Sequence, residues 1–304
     1  MLVCHQKVPD RNIAPGIPLA STDVGLAYDA TGPPARATAT CILCRLMWML
    51  MTALAVVAMS LLALAGLLIV RRTHWLQRHL GENDVPGLIF GAVGILYGAL
   101  LAFVVFATWE SYAGAEQAVT MEAADLVAVY RDTQQFPDPQ RNEIQIALRT
   151  YADKVMAAEW QSHGKLLVHA TPDLLNPIWD LYRQMAPPTS VGETQLAAAS
   201  ERLHELEHQR HLRHLSGEAT LPDVFWPVLI GGSVIMVLFS YTFSQGSLPV
   251  QAAMTALLAG LLTLVLLLIF SLDQPFTGPV PISQQPLRHA LSQFDAIDLP
   301  ATPP

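Results

Sequence analysis

The sequence predicts an all-α, polytopic membrane protein with four transmembrane helices and a soluble helical segment between the second and the third. Three observations predict it. Charge is scarce: only 14% of the 304 residues are Asp, Glu, Lys or Arg, against about 25% in soluble domains, and mean hydropathy is +0.36. The apolar residues are gathered into blocks, so that 46–70, 86–109, 224–249 and 250–272 contain no charged side chain. Trp48, Trp75, Trp109, Tyr112, Trp226 and Tyr241 fall near the block ends, where amphipathic rings settle at a membrane–water interface.

Each block is long enough to span. A helix rises about 1.5 Å per residue, so roughly 20 apolar residues cross a hydrocarbon core of about 30 Å. Backbone groups in lipid find no water to bond, which excludes an open strand and leaves the helix. The expected spans are 47–70, 87–109, 224–243 and 250–271. The expected location is the cell membrane, with the lipid bilayer as the first partner.

Before the first span, residues 1–45 are rich in Pro, Ala, Thr and Gly without an apolar period and are expected to be disordered. No secretory signal stands at the very start, and a translation start at Met47, Met49 or Met51 is a further expectation. Cys4, Cys41 and Cys44 all precede the span. Cys41 and Cys44 form one C-x-x-C with no second pair to complete a zinc site, and they read as incidental. Arg71, Arg72 and Arg78 in the loop at 71–86 would lie inside by the positive-inside rule.

The second span carries the most information. Gly87, Gly91, Gly94, Gly98 and Ala102 recur at helical spacing. Small residues let backbones approach closely in lipid. The stripe therefore packs either on a helix of the same chain or on symmetry mates around an axis. Around an axis the wall would be apolar, with Phe90, Tyr97 and Phe103 or Phe106 as the bulky candidates for a neck and gating by dewetting. No span interior holds an ionisable residue, which argues against an ion-coupled transporter with a midplane carboxylate.

The soluble segment 110–222 holds 16 acidic and 9 basic residues. An acidic, solvated segment argues against nucleic-acid binding, which calls for a basic stripe. Its first part, 110–136, is expected to continue the second span as an alanine-rich stalk ended by Pro137 and Pro139. Further helices are expected from Asp138 or Pro139 to about 160, from 172 to 185, and from Ser190 to about 215. After Asp273 the tail, 273–304, reads as Pro-rich and mostly irregular.

Glu110, Glu116 and Glu122 lie just beyond the second span. Glu110 is placed for a cation-attracting ring if copies surround an axis, or for a plain solvated helix start. His204, His208, His211 and His214 share one side of the last soluble helix. Such spacing suits a metal site, with His204, His208 and His211 as candidates, or a pH sensor, or a solvated face. No nucleophile elbow, phosphate-cradling glycine loop or zinc-protease motif is present, so neither catalysis nor a cofactor is expected.

Several local patterns resemble the bestrophin-like membrane protein family. They are Gly94, Tyr97, Leu101, Ala102 and Phe103, followed by Trp109, Tyr112, Glu122, Ala123 and Tyr130-Arg131. Tyr151 with Glu159-Trp160 and Pro222 with Trp226 follow, and Leu272-Asp273-Gln274-Pro275-Phe276-Thr277-Gly278 closes the fourth span. The resemblance covers about residues 50–290. It implies the four-span fold, a cytosolic soluble part and, through the bestrophins, a pentameric anion channel, a homo-oligomer whose second membrane helix lines the pore. The positive-inside count points the other way on orientation. The expected function is therefore an oligomeric channel passing small ions. The alternative is a non-conducting membrane scaffold or sensor whose acidic segment binds a partner or responds to pH.

Overall fold

The computed structural model describes residues 35–72, 85–159, 174–186, 189–218, 220–242 and 247–299. Helices α1 (Ala35–Arg72), α2 (Val85–Asp132), α3 (Gln140–Lys154), α4 (Asn176–Gln184), α5 (Ser190–Glu218), α6 (Phe225–Ser240), α7 (Leu248–Leu272) and α8 (Gln285–Asp298) follow in order. Among the described residues there is no strand. A 3₁₀ turn at Thr133–Gln135 follows α2, and a π-type turn at Val155–Glu159 follows α3.

The two parts of the molecule share one rod. Helix α2 has 48 residues, about 72 Å at 1.5 Å per residue. Its first half packs with α6 and α7, and its second half with α5 and α8. Nothing between Gly87 and Asp132 breaks it, since no proline occurs there and alanine is frequent.

Three helices, α1, α2 and α7, are long and apolar enough to cross a membrane. Helix α6 is apolar but has only 16 residues, about 24 Å, against the expected 224–243. Its end is polar, and side chains take its last carbonyls: Ser240 Oγ donates to Val237 O at 2.7 Å and Thr242 Oγ1 to Phe239 O at 2.7 Å. Such local bonds compete with helix propagation.

Tyr97, Leu101 and Val104 of α2 pack with Leu229 and Met236 of α6 and with Leu262 and Ile269 of α7. Two tyrosines seat in glycine notches. The Tyr97 hydroxyl donates to Leu229 O at 2.5 Å and lies 2.7 Å from Ser233 Oγ. With its proton used on the carbonyl, it accepts from Ser233. A Cβ on Gly232 would sit 2.2 Å from the Tyr97 ring. Tyr241 Oη donates to Ala63 O at 2.7 Å, and a Cβ on Gly66 would meet that hydroxyl at 2.6 Å. These bonds satisfy hydroxyls that lipid cannot. Gly232→Ala is expected to force Tyr97 aside at a cost of about 1–3 kcal/mol. A thermal melt of the purified protein in detergent checks it, and an unchanged midpoint would contradict the notch.

The helices around the second half of α2 enclose a separate core. Leu126 and Tyr130 of α2, Ile144, Leu148 and Tyr151 of α3, Ile178 of α4, Leu203 and Leu206 of α5, and Leu287 and Phe294 of α8 are all essentially inaccessible. Within the tail expected to be mostly irregular, Gln285–Asp298 form helix α8. Leu287, Ala290, Leu291, Phe294 and Ile297 recur at helical spacing in α8, and Pro286 falls in its first turn, where proline is tolerated. Phe294 stacks on Tyr130 with centroids 3.9 Å apart. Arg149 holds Asp295 and Asp298 of α8, each at 2.8 Å.

The expected disorder of 1–45 is also corrected in part. Helix α1 begins at Ala35, because 35–45 contains neither Pro nor Gly and is rich in Ala. Cys41 and Cys44 lie on its backbone. Residues 1–34, with Cys4, lie outside the described residues, as do Trp75, Arg78 and Trp160.

Between the two cores sits the run that closes α7. Asp273 Oδ1 accepts from Leu221 N at 2.6 Å, which ties the start of α6 to the end of α7. Gly278 N donates to Gln274 O at 2.8 Å, and a Cβ at Gly278 would lie 2.4 Å from that oxygen. Phe276 packs beside Tyr112, Ala115 and Val119 of α2. The run is a collar that fixes the apolar helices against the bundle of the second core.

Candidate functional site

Two surfaces of α2 carry the chemistry. One faces outward along its apolar half, and one is buried in the bundle that α3, α4, α5 and α8 form with its second half.

The outward face is apolar, then acidic. Leu88, Ile95, Phe103 and Phe106 are exposed, at 78%, 74%, 67% and 62%. Gly87 and Ala102 are exposed beside them, and so is Glu110, one turn beyond Phe106. A Cβ at Gly91 or Gly98 would meet nothing within 4 Å, and the same holds at Gly114 in the stalk. The stripe is therefore divided. Gly94 turns toward Met236, whose Cε would lie 3.4 Å from its Cβ, whereas Gly91 and Gly98 look away from the rest of the chain. Tyr97 is buried against α6, and Phe90 is half-buried and stacked on Phe239 with centroids 5.7 Å apart. Of the bulky neck candidates, only Phe103 and Phe106 stand on the outward face.

The buried surface centres on Glu122, which is fully inaccessible rather than solvated. Arg213 of α5 grips its carboxylate through Nε and through Nη2, the latter at 3.2 Å from Oε1. Tyr151 Oη of α3 donates to Oε1 at 2.5 Å. Arg210 lies over the Tyr151 ring at 5.5 Å. The Tyr151 hydroxyl titrates well above the ordinary tyrosine value, because burial and then the Glu122 charge disfavour a phenolate. The cluster joins α2, α3 and α5 at one point. Sequence reasoning gives Arg213 and Arg210 no part in a site, yet the signal is present. Leu203, Leu206, Arg210 and Arg213 stand at i, i+3, i+7 and i+10 on α5, and Glu122 falls between Val119 and Leu126 on the apolar side of α2.

His204, His208 and His211 are exposed on α5. His204 leans on Trp179 with centroids 4.4 Å apart and lies 3.7 Å from Glu207. Among the described residues no group of three or more His, Cys, Asp or Glu side chains could hold a metal ion. Glu116 is exposed on the stalk, separated from the buried Glu122 by less than two turns.

Comparison with curated proteins and with solved structures returns no match. The family model of the Bestrophin-like domain matches residues 57–287. That stretch takes in the outward face of α2, the Glu122 cluster and the collar after α7. With a match over most of its length, the chain belongs to the bestrophin-like family.

Proposed function

We propose that the protein crosses the membrane four times, assembles from several copies through the outward face of α2, and conducts small ions along that helix. The observation that carries the reading is the open side of α2: Gly91 and Gly98 look onto empty space, flanked by exposed Phe103 and Phe106. Small residues on a membrane helix favour contact with another helix. Family membership agrees with a channel-like membrane protein, as analogy rather than mechanism.

A hairpin argument supports four crossings. The Asp273–Leu221 bond holds the start of α6 at the end of α7, so a chain that crosses on α7 crosses back on α6. A 24 Å helix is accommodated by local thinning of the bilayer and by its flanking residues. The exposed histidines of α5 favour a second reading, a non-conducting pH-responsive sensor, which the same experiment separates. Purified full-length protein in planar bilayers is expected to give unitary currents. Silence across K⁺, Na⁺ and Cl⁻ salts from pH 5 to pH 8 would rule out conduction.

A further inference from the structure

We infer that the end of α6 and the first turns of α7 hold a monovalent cation, Na⁺ in preference to K⁺, among neutral oxygens. The inference stands apart from the pore reading and from α2. Gln251 of α7 is 3% exposed, yet its Oε1 has no hydrogen-bond partner among the described residues. Its Nε2 reaches only Tyr241 O, at 3.5 Å, beyond the about 2.7–3.2 Å of an ordinary N–H···O bond. Turning the amide over does not help by itself, since it sets Oε1 against Tyr241 O, acceptor to acceptor. A buried amide left so poorly satisfied costs free energy unless a further group completes it.

The groups around the amide are oxygens. Thr255 lies one turn on, at i+4 on the same face of α7, and is 1% exposed. Thr255 Oγ1 stands 3.4 Å from Ser240 Oγ, whose own proton goes to Val237 O. Ser240 and Tyr241 close α6, where carbonyls lack helical partners and the helix end is negative. The ends of interrupted membrane helices hold Na⁺ through such carbonyls. Na⁺ is close in size to Ca²⁺, whose oxygens lie at about 2.3–2.6 Å, so two oxygens at right angles about it stand about 3.3–3.7 Å apart. With Oε1 in the place of Nε2, the two oxygen pairs stand 3.4 and 3.5 Å apart. K⁺ is larger and would push them apart. A divalent ion is disfavoured, because affinity follows the charge of the ligands and no carboxylate occurs from Val224 to Leu272.

Thermal melts of the full-length protein in mild detergent test this, with the chlorides of Na⁺, K⁺ and choline at equal ionic strength. The midpoint is expected to rise saturably by a few degrees as Na⁺ replaces choline, and less with K⁺. Gln251→Leu and Thr255→Val are expected to abolish the rise, and Thr255→Ser, which keeps the hydroxyl, to retain it. In choline, Gln251→Leu is expected to melt no lower than the wild type, since it removes an unsatisfied amide. A wild-type midpoint equal in Na⁺ and choline would overturn the inference and leave the amide to a buried water. A Na⁺ response that persists unchanged in both Gln251→Leu and Thr255→Val would put the ion elsewhere and overturn it as well.

Discussion

Glu122→Ala is expected to destabilise the bundle of α2, α3 and α5 by about 3–5 kcal/mol, the usual consequence of stranding one member of a buried ion pair. Arg213 would be left with its charge inside the bundle, and Tyr151 would lose the acceptor of its hydroxyl. Water cannot compensate at a site where the carboxylate is fully inaccessible. Chemical unfolding in detergent measures the loss. The partner experiment is sharper. Replacing both Glu122 and Arg213 by methionine removes the charges together and is expected to recover most of the loss, because an apolar pair of similar volume substitutes well for a buried salt bridge. A Glu122→Ala loss below about 1 kcal/mol would mean that the carboxylate finds water in solution.

Phe294→Ala is expected to cost about 3–5 kcal/mol, the range for truncating a fully buried aromatic. Phe294 is inaccessible and stacks on Tyr130 at 3.9 Å, so the change empties a cavity between α8 and α2 and removes a ring contact. The exposed pairs of Arg149 with Asp295 and Asp298 cannot hold α8 alone, since such pairs contribute at most about 1 kcal/mol each. Unfolding midpoints of the full chain give the answer. A wild-type midpoint for Phe294→Ala would show that α8 is an appendage and not part of the core.

The spans of α1, α2 and α7 were legible because a charge-free block of more than 20 residues has few other meanings. What lay outside them was harder for physical reasons. Helix α8 hides in a Pro-rich composition, although its apolar residues keep a helical period from Leu287 to Ile297. The extension of α1 to Ala35 is Ala- and Thr-rich and lacks the apolar contrast that marks a buried face. Glu122 looked solvated because acids beyond a membrane boundary usually are. Its place between Val119 and Leu126 on the apolar side of α2 points inward, and the packing of α5 and α3 onto α2 buries it there. The glycine stripe was visible as spacing, but spacing alone does not say which flank meets α6. The structure turns Gly94 to α6 and leaves Gly91 and Gly98 open.

That open flank is the centre of the account, and the mass of the particle tests it most directly. One chain weighs 33.1 kDa. Light scattering of the full-length protein in mild detergent, with the detergent contribution subtracted, is expected to return several times that mass. A protein mass of a single chain, held across detergents and concentrations, would leave the outward face of α2 to lipid and contradict a shared pore.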